Sequence, residues 1–159
     1  GSRHVVAGMV MNNQLTDFAF RPSIQGRPVA NRRRPGKRPM SSMAPLIVFE
    51  NNQPVLAVGS PGGRTIPHFI SRVLMASLFW GLPPEQSVAM PHLSIRGNRL
   101  VAERDSPIPW PFALTELSRG EQEIKSQPLN SGIALLQRIH GRWHGVADPR
   151  REGAAMALP

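Results

Sequence analysis

The sequence predicts a layered α+β or α/β domain, and three observations carry that prediction. Short apolar, β-branched runs come first, an amphipathic helical stretch follows, and strand-like segments return near the end. Elements in that order bury their apolar faces on one another in layers. The 17 prolines and 14 glycines suit short strands and loops rather than a helix bundle. With 159 residues, 40% of them apolar, the chain can hide roughly two thirds of its unfolded surface. A single domain is the expectation at this length.

The elements follow in order. Residues 4–11 (HVVAGMVM) read as one buried strand, stopped by the turn formers Asn12-Asn13. Residues 21–40 (RPSIQGRPVANRRRPGKRPM) lack periodicity and read as a long exposed loop. The apolar runs 46–50 and 54–59, joined by Asn51-Asn52-Gln53, read as a hairpin covered on both faces. Residues 66–80 read as a helix, with Pro67 in its first turn and Gly81 at its C-terminal cap. A short helix over 84–90 ends at Pro91. Residues 93–103 read as a strand and 111–119 as a helix. Residues 132–139 and 142–147 form a hairpin turning at His140-Gly141, and DPRREGAAMALP reads as a loop-like tail.

The net charge of +9 suits nucleic acid, an anionic surface or an acidic partner chain without choosing among them. The basic run 32–38 has no interleaved aromatics, and Pro35-Gly36 breaks any helix. It reads as a solvated loop or a surface meeting an acidic subunit, and no nucleic-acid partner is expected. The absence of cysteine excludes disulfides, thiol catalysis and cysteine metal sites. No apolar run reaches the roughly 20 residues that cross a bilayer, and GSRHVVAGMV lacks the pattern of a signal peptide. His140 and His144 flank a turn rather than a helix face, with no carboxylate beside them, so no metal or other cofactor is expected. His68 and His92 read as packed or exposed, and Met40, Met43, Met75 and Met90 as core filler.

Three clusters carry chemistry. In Asn12-Asn13-Gln14-Leu15-Thr16-Asp17-Phe18, an amide and a carboxylate stand three residues apart. Asp17 supplies charge and Gln14 a directional acceptor, a pair suited to an ammonium group; the alternative is a plain Asx turn. In Arg38-Pro39-Met40-Ser41-Ser42-Met43-Ala44-Pro45, two serines in a proline-bounded turn suit a carboxylate, or the segment simply enters the next strand. In Gly59-Ser60-Pro61-Gly62-Gly63, side-chain-free residues between strand and helix let backbone N–H groups face a phosphate or a developing oxyanion. A structural strand-to-helix turn is the other reading. Neither the P-loop Gly-Lys-Ser/Thr nor a Gly-x-Ser-x-Gly elbow is present.

The order of these clusters, followed by Ala-Asp-Pro-Arg-Arg-x-Gly-Ala-Ala from Ala147 to Ala155, resembles the small subunit of gamma-glutamyltranspeptidases. The resemblance covers nearly the whole chain and thins over residues 104–130. It implies an N-terminal-nucleophile hydrolase and part of its αββα four-layer sandwich. It also implies a precursor that cuts itself into large and small subunits. The small subunit's new N-terminal threonine then attacks the gamma-glutamyl amide of glutathione or a related compound. By the same resemblance Gln14 and Asp17 hold the substrate's α-ammonium, and Ser41 and Ser42 its α-carboxylate with help from a large-subunit arginine. Gly62 and Gly63 correspond to the oxyanion-hole pair. The chain departs from the pattern in lacking that threonine: Thr16, Thr65 and Thr115 lie in other motifs. This chain alone is therefore expected to be inactive, with the large subunit as its partner. Thr16 also replaces an acidic residue that many relatives carry beside Asp17. A glutaryl acylase of the same superfamily is the neighbouring alternative, and Asp17 argues against it. A remnant that only binds is the other.

Overall fold

The computed structural model of the protein describes residues 3–97, 99–110 and 124–157, with Arg96 described by its backbone alone. The helix expected over 111–119 lies outside the described residues. The chain divides into two compact units, Gly1–Ser41 and Ser42–Pro159.

The first unit is built from turns. Residues 4–11 form a hairpin, not one buried strand: β1 (Val5–Val6) pairs with β2 (Met9–Val10), and all four residues are exposed. The reason is a tight turn in which Ala7 and Gly8 both take positive φ, 50° and 78°. A non-glycine residue rarely does so. A 3-10 turn over Gln14–Asp17 follows. The segment after it holds a second small hairpin, β3 (Ser23–Ile24) against β4 (Arg27–Pro28). The Val29 N–H closes this hairpin on the Pro22 carbonyl. Lys37 Nζ reaches the Ala30 carbonyl. Most side chains from 21 to 40 are exposed.

The second unit carries the core. Its main sheet is antiparallel, in the order β11 (Arg142–Ala147), β10 (Ala134–Ile139), β6 (Gln53–Gly59), β5 (Leu46–Glu50). One face presents Leu56, Val58 and Leu135 to helix α1 (Ile66–Leu74), whose Ile66, Phe69, Ile70 and Val73 are buried. That i, i+3, i+4, i+7 spacing is a single apolar stripe. The helix runs on through a π turn at Met75–Phe79 and stops at Gly81, which takes φ 65°. Helix α2 (Pro84–Ala89) adds Val88.

A second sheet has the order β7 (Leu93–Arg96), β8 (Arg99–Glu103), β9 (Ile124–Gln127). The run 93–103 is thus a hairpin rather than one strand, reversing at Gly97 (φ 62°). Among the four methionines expected in the core, Met40, Met43 and Met75 are exposed and Met90 half-buried. They sit on loops and on the outer side of the helix, away from the apolar stripe.

The main sheet's other face is also apolar. Ile47, Ala57, Ala134, Leu136 and Ala147 line an open groove, together with Ala154 and Ala155 of the tail. A Cβ on Gly145 would stand 3.2 Å from that of Ala155, and one on Gly153 3.2 Å from that of Ala147. The tail thus touches the sheet at these two points while its side chains stay exposed. Among the described residues no helix is long and apolar enough to cross a membrane.

Candidate functional site

Gln14 and Asp17 open and close the 3-10 turn. Residues three apart eclipse in such a turn, so both side chains leave the same side. Both are exposed. The Asx turn weighed as the alternative is also present, since Asn12 Oδ1 accepts from the Gln14 N–H at 3.0 Å. The two readings are compatible: the Asx turn shapes the corner and leaves the side chains of Gln14 and Asp17 pointing outward. Among the described residues no ion pair engages the Asp17 carboxylate.

Asn31 holds this corner. Its Nδ2 donates to the Asp17 carbonyl at 2.6 Å, and its Oδ1 accepts from the Met40 N–H at 3.1 Å. One carboxamide thus joins the Asp17 turn to the residue before Ser41, which is exposed. Ser41 closes the first unit and Ser42, half-buried, opens the second. The sequence reading missed Asn31, because it lies in an aperiodic stretch with no motif around it.

The diglycine turn belongs to the second unit. Gly62 takes φ 139° and Gly63 φ 58°, conformations that L side chains rarely adopt. Space also demands glycine at 62, where a Cβ would stand 2.6 Å from Phe69 Cε2. The Gly62 carbonyl accepts from the Thr65 N–H at 3.3 Å and from Thr65 Oγ1 at 2.7 Å. Among the described residues neither the Gly62 nor the Gly63 amide has a hydrogen-bond partner. Two orphan donors stand at the start of α1, where the helix dipole adds positive potential. This arrangement can stabilise a negatively charged oxygen.

Behind the turn lies a buried polar network the sequence did not disclose. Arg150 Nε and Nη2 donate to Glu103 at 2.5 and 2.8 Å, and its Nη1 to Asp148 Oδ1 at 3.1 Å. It also donates to the carbonyls of Val88, Ala89 and Met90. Arg72 Nε donates to His92 Nδ1 at 3.0 Å, which fixes the other ring nitrogen, Nε2, as the protonated one. Nε2 then donates to Ser131 Oγ at 2.7 Å, and Ser131 Oγ donates to Asp148 Oδ2.

Burial, with Arg72 and Arg150 nearby, pushes the His92 pKa down to about 2. Burial and Arg150 lower Arg72 to about 10. Burial works against the charge of Asp148, but Ser131, the Ile133 N–H and Arg150 outweigh it and hold the carboxyl below its ordinary range. Arg150 is raised, because Glu103 and Asp148 outweigh its burial. Among the described residues no group of three or more His, Asp or Glu side chains could hold a metal ion.

The family model for gamma-glutamyltranspeptidase matches residues 1–158. A glutathione hydrolase proenzyme of Bacillus subtilis is 32% identical over 154 residues, covering 95% of this chain and 25% of that protein. A glutathione hydrolase proenzyme of Escherichia coli is 28% identical over 151 residues, covering 91% of this chain and 26% of that protein. The chain thus spans about a quarter of the length of these curated relatives. The gamma-glutamyltranspeptidase of Pseudomonas nitroreducens, solved with L-DON, superposes with a TM-score of 0.83 at 27% identity, over 100% of this chain and 88% of the solved one. The α+β class, and the chain's place as part of the αββα sandwich implied by the resemblance, hold.

Proposed function

The chain belongs to the gamma-glutamyltranspeptidase family, and on that premise we propose that it supplies the head-group and oxyanion portion of a gamma-glutamyl hydrolase or transferase. Its substrates are glutathione and other gamma-glutamyl amides. Asp17 and Gln14 take the α-ammonium, and Ser41 and Ser42 the α-carboxylate. The amides of Gly62 and Gly63 take the oxyanion that forms when the γ-carbonyl is attacked. The observation that carries this reading is the pair of amides at the head of α1 that have no hydrogen-bond partner among the described residues, fixed by two positive-φ glycines.

The nucleophile is assigned to a threonine outside this chain. The Thr16 hydroxyl donates to the Asn13 carbonyl at 2.7 Å, and buried Thr65 donates to Gly62; Thr115 lies outside the described residues. None of the three carries a free α-amine to act as base. The large subunit of the same precursor is the partner, and it completes the carboxylate site with an arginine.

A direct test compares the complete, processed enzyme on a gamma-glutamyl anilide and on the glutaryl anilide that lacks the ammonium. Faster turnover of the gamma-glutamyl compound is expected. Faster turnover of the glutaryl compound would assign the protein to the acylase branch instead. A crystal structure with bound glutamate in which the ammonium sits away from Asp17 would remove the head-group assignment.

A further inference from the structure

The diglycine turn is gripped from two sides, and both sides are fastened to one buried hydrogen bond. On one side is the Phe69 ring, so close to Gly62 that a Cβ there would stand 2.6 Å from Cε2. On the other is Gly132, where a Cβ would stand 2.7 Å from Pro61 Cγ and 2.7 Å from Arg151 Cδ. The Gly132 N–H also donates to Ser60 Oγ at 3.3 Å. Ser60 and Pro61, the residues before the two glycines, are therefore in contact with Gly132, which is 72 positions beyond Ser60 in the chain.

The two walls share an anchor. Phe69 packs on the His92 ring with centroids 4.1 Å apart. Gly132 follows Ser131, whose hydroxyl takes the His92 Nε2–H at 2.7 Å. Both His92 and Ser131 are fully buried. Arg151 Nε donates to the Ser131 carbonyl at 2.7 Å, and Asp148 accepts from the Ser131 hydroxyl and, at 3.0 Å, from the Ile133 N–H. Close-packed interiors transmit displacements of this kind, because little free space absorbs them.

We propose that Gly132 and Phe69 are positioning residues that set the Gly62 and Gly63 amides, with the His92–Ser131 bond joining the two halves of the clamp. The proposal rests on the oxyanion role given to those amides. Gly132 touches no substrate; it acts through Pro61. Its glycine identity is a matter of space, since its backbone lies outside the positive-φ region. Gly132→Ala therefore adds one methyl group and no backbone strain.

The experiment uses the complete, processed enzyme carrying Gly132→Ala, assayed on gamma-glutamyl-4-nitroanilide and crystallised. The expected result is a kcat lower by roughly tenfold or more, because oxyanion donors act only when aimed. KM stays within about twofold, because the head-group contacts are untouched. The crystal structure shows Pro61 to Gly63 displaced. Adding Pro61→Ala removes the ring carbon that the methyl meets and recovers part of kcat, a response that simple loss of stability does not give. If Gly132→Ala does not mature, Phe69→Leu, which frees the opposite wall, is read in the same two ways. Unchanged kcat, or a Pro61–Gly63 backbone that superposes on the wild type, overturns the clamp. If the wild-type enzyme itself releases no nitroaniline, the functional reading falls, while the crystal comparison still decides the positioning.

Discussion

The Asn31 side chain donates to the Asp17 carbonyl at 2.6 Å while accepting from the Met40 amide. A residue in the loop thereby sets the backbone of the corner that presents the acidic group. Asn31→Ala removes both bonds, each worth about 1 kcal/mol. In the complete enzyme KM for a gamma-glutamyl anilide should rise roughly tenfold with kcat changed little. Steady-state kinetics checks this, and an unaltered KM would show that the corner holds its shape without Asn31.

Asp17→Ala deletes the charge itself. Hydrogen bonds to charged groups contribute about 1.5–3 kcal/mol, so KM should rise roughly 10- to 100-fold. Hydrolysis of the glutaryl analogue, which has no ammonium, should be spared. Equal loss on both substrates would mean that the carboxylate serves the fold instead.

Gly62→Ala meets two obstacles, a φ of 139° and the Phe69 ring. Displacing an oxyanion donor costs about a hundredfold or more in kcat. The expected variant binds substrate near the wild-type KM and turns it over at least a hundredfold more slowly. Wild-type turnover would transfer the oxyanion role elsewhere.

Arg150→Ala leaves the Glu103 and Asp148 carboxylates, with 3% and 1% side-chain exposure, without their counter-charge. Breaking a buried pair in this way costs about 3–5 kcal/mol. Chemical denaturation should show a shift of that order, and a much smaller one would mean that water reaches the site. Arg150→Lys should recover only a fraction, since an ammonium cannot reproduce the two-pronged contact to Glu103.

The acid side of the stability profile should belong to His92. Unfolded, its imidazole takes a proton near its ordinary value of 6.5; folded, it refuses one until about 2. The unfolded chain therefore binds more protons as pH falls through 6.5, and stability drops by about 1.4 kcal/mol per pH unit below that point. Asp148 acts in the same direction but only below its ordinary value of 3.8. Between pH 6.5 and 5 the slope is assigned to His92, and His92→Gln should flatten it. An unchanged slope in that variant would assign the effect elsewhere.

Much of the second unit was legible because its signals are periodic. The stripe Ile66, Phe69, Ile70, Val73 marks a helix, and the turn formers Asn51-Asn52 and His140-Gly141 mark two hairpins that form where read. The first is not covered on both faces, however: Ile47 and Phe49 of β5 are exposed, because β5 is an edge strand with helix α1 on one face of the sheet only. The apolar run at residues 4–11 misled, because hydrophobicity suggests burial and nothing local says that Ala7 adopts positive φ. Gln14, Asp17 and the glycines stood out through the order of their motifs along the chain. Asn31, Gly132 and the Arg150 network did not, since their partners are remote in sequence: Glu103 is 47 residues from Arg150, and Ser131 is 39 from His92.

The tail on the open face of the main sheet fits through gaps the size of a methyl group, at Gly145 against Ala155 and at Gly153 against Ala147. Steric bulk at these sites is consequently a shared property of strand and tail. Across relatives, a larger residue at 145 should accompany a smaller one at 155, and likewise for 147 and 153. Swapping tails between distant relatives without their matching strands should then prise the last residues off the sheet, removing one wall of the groove.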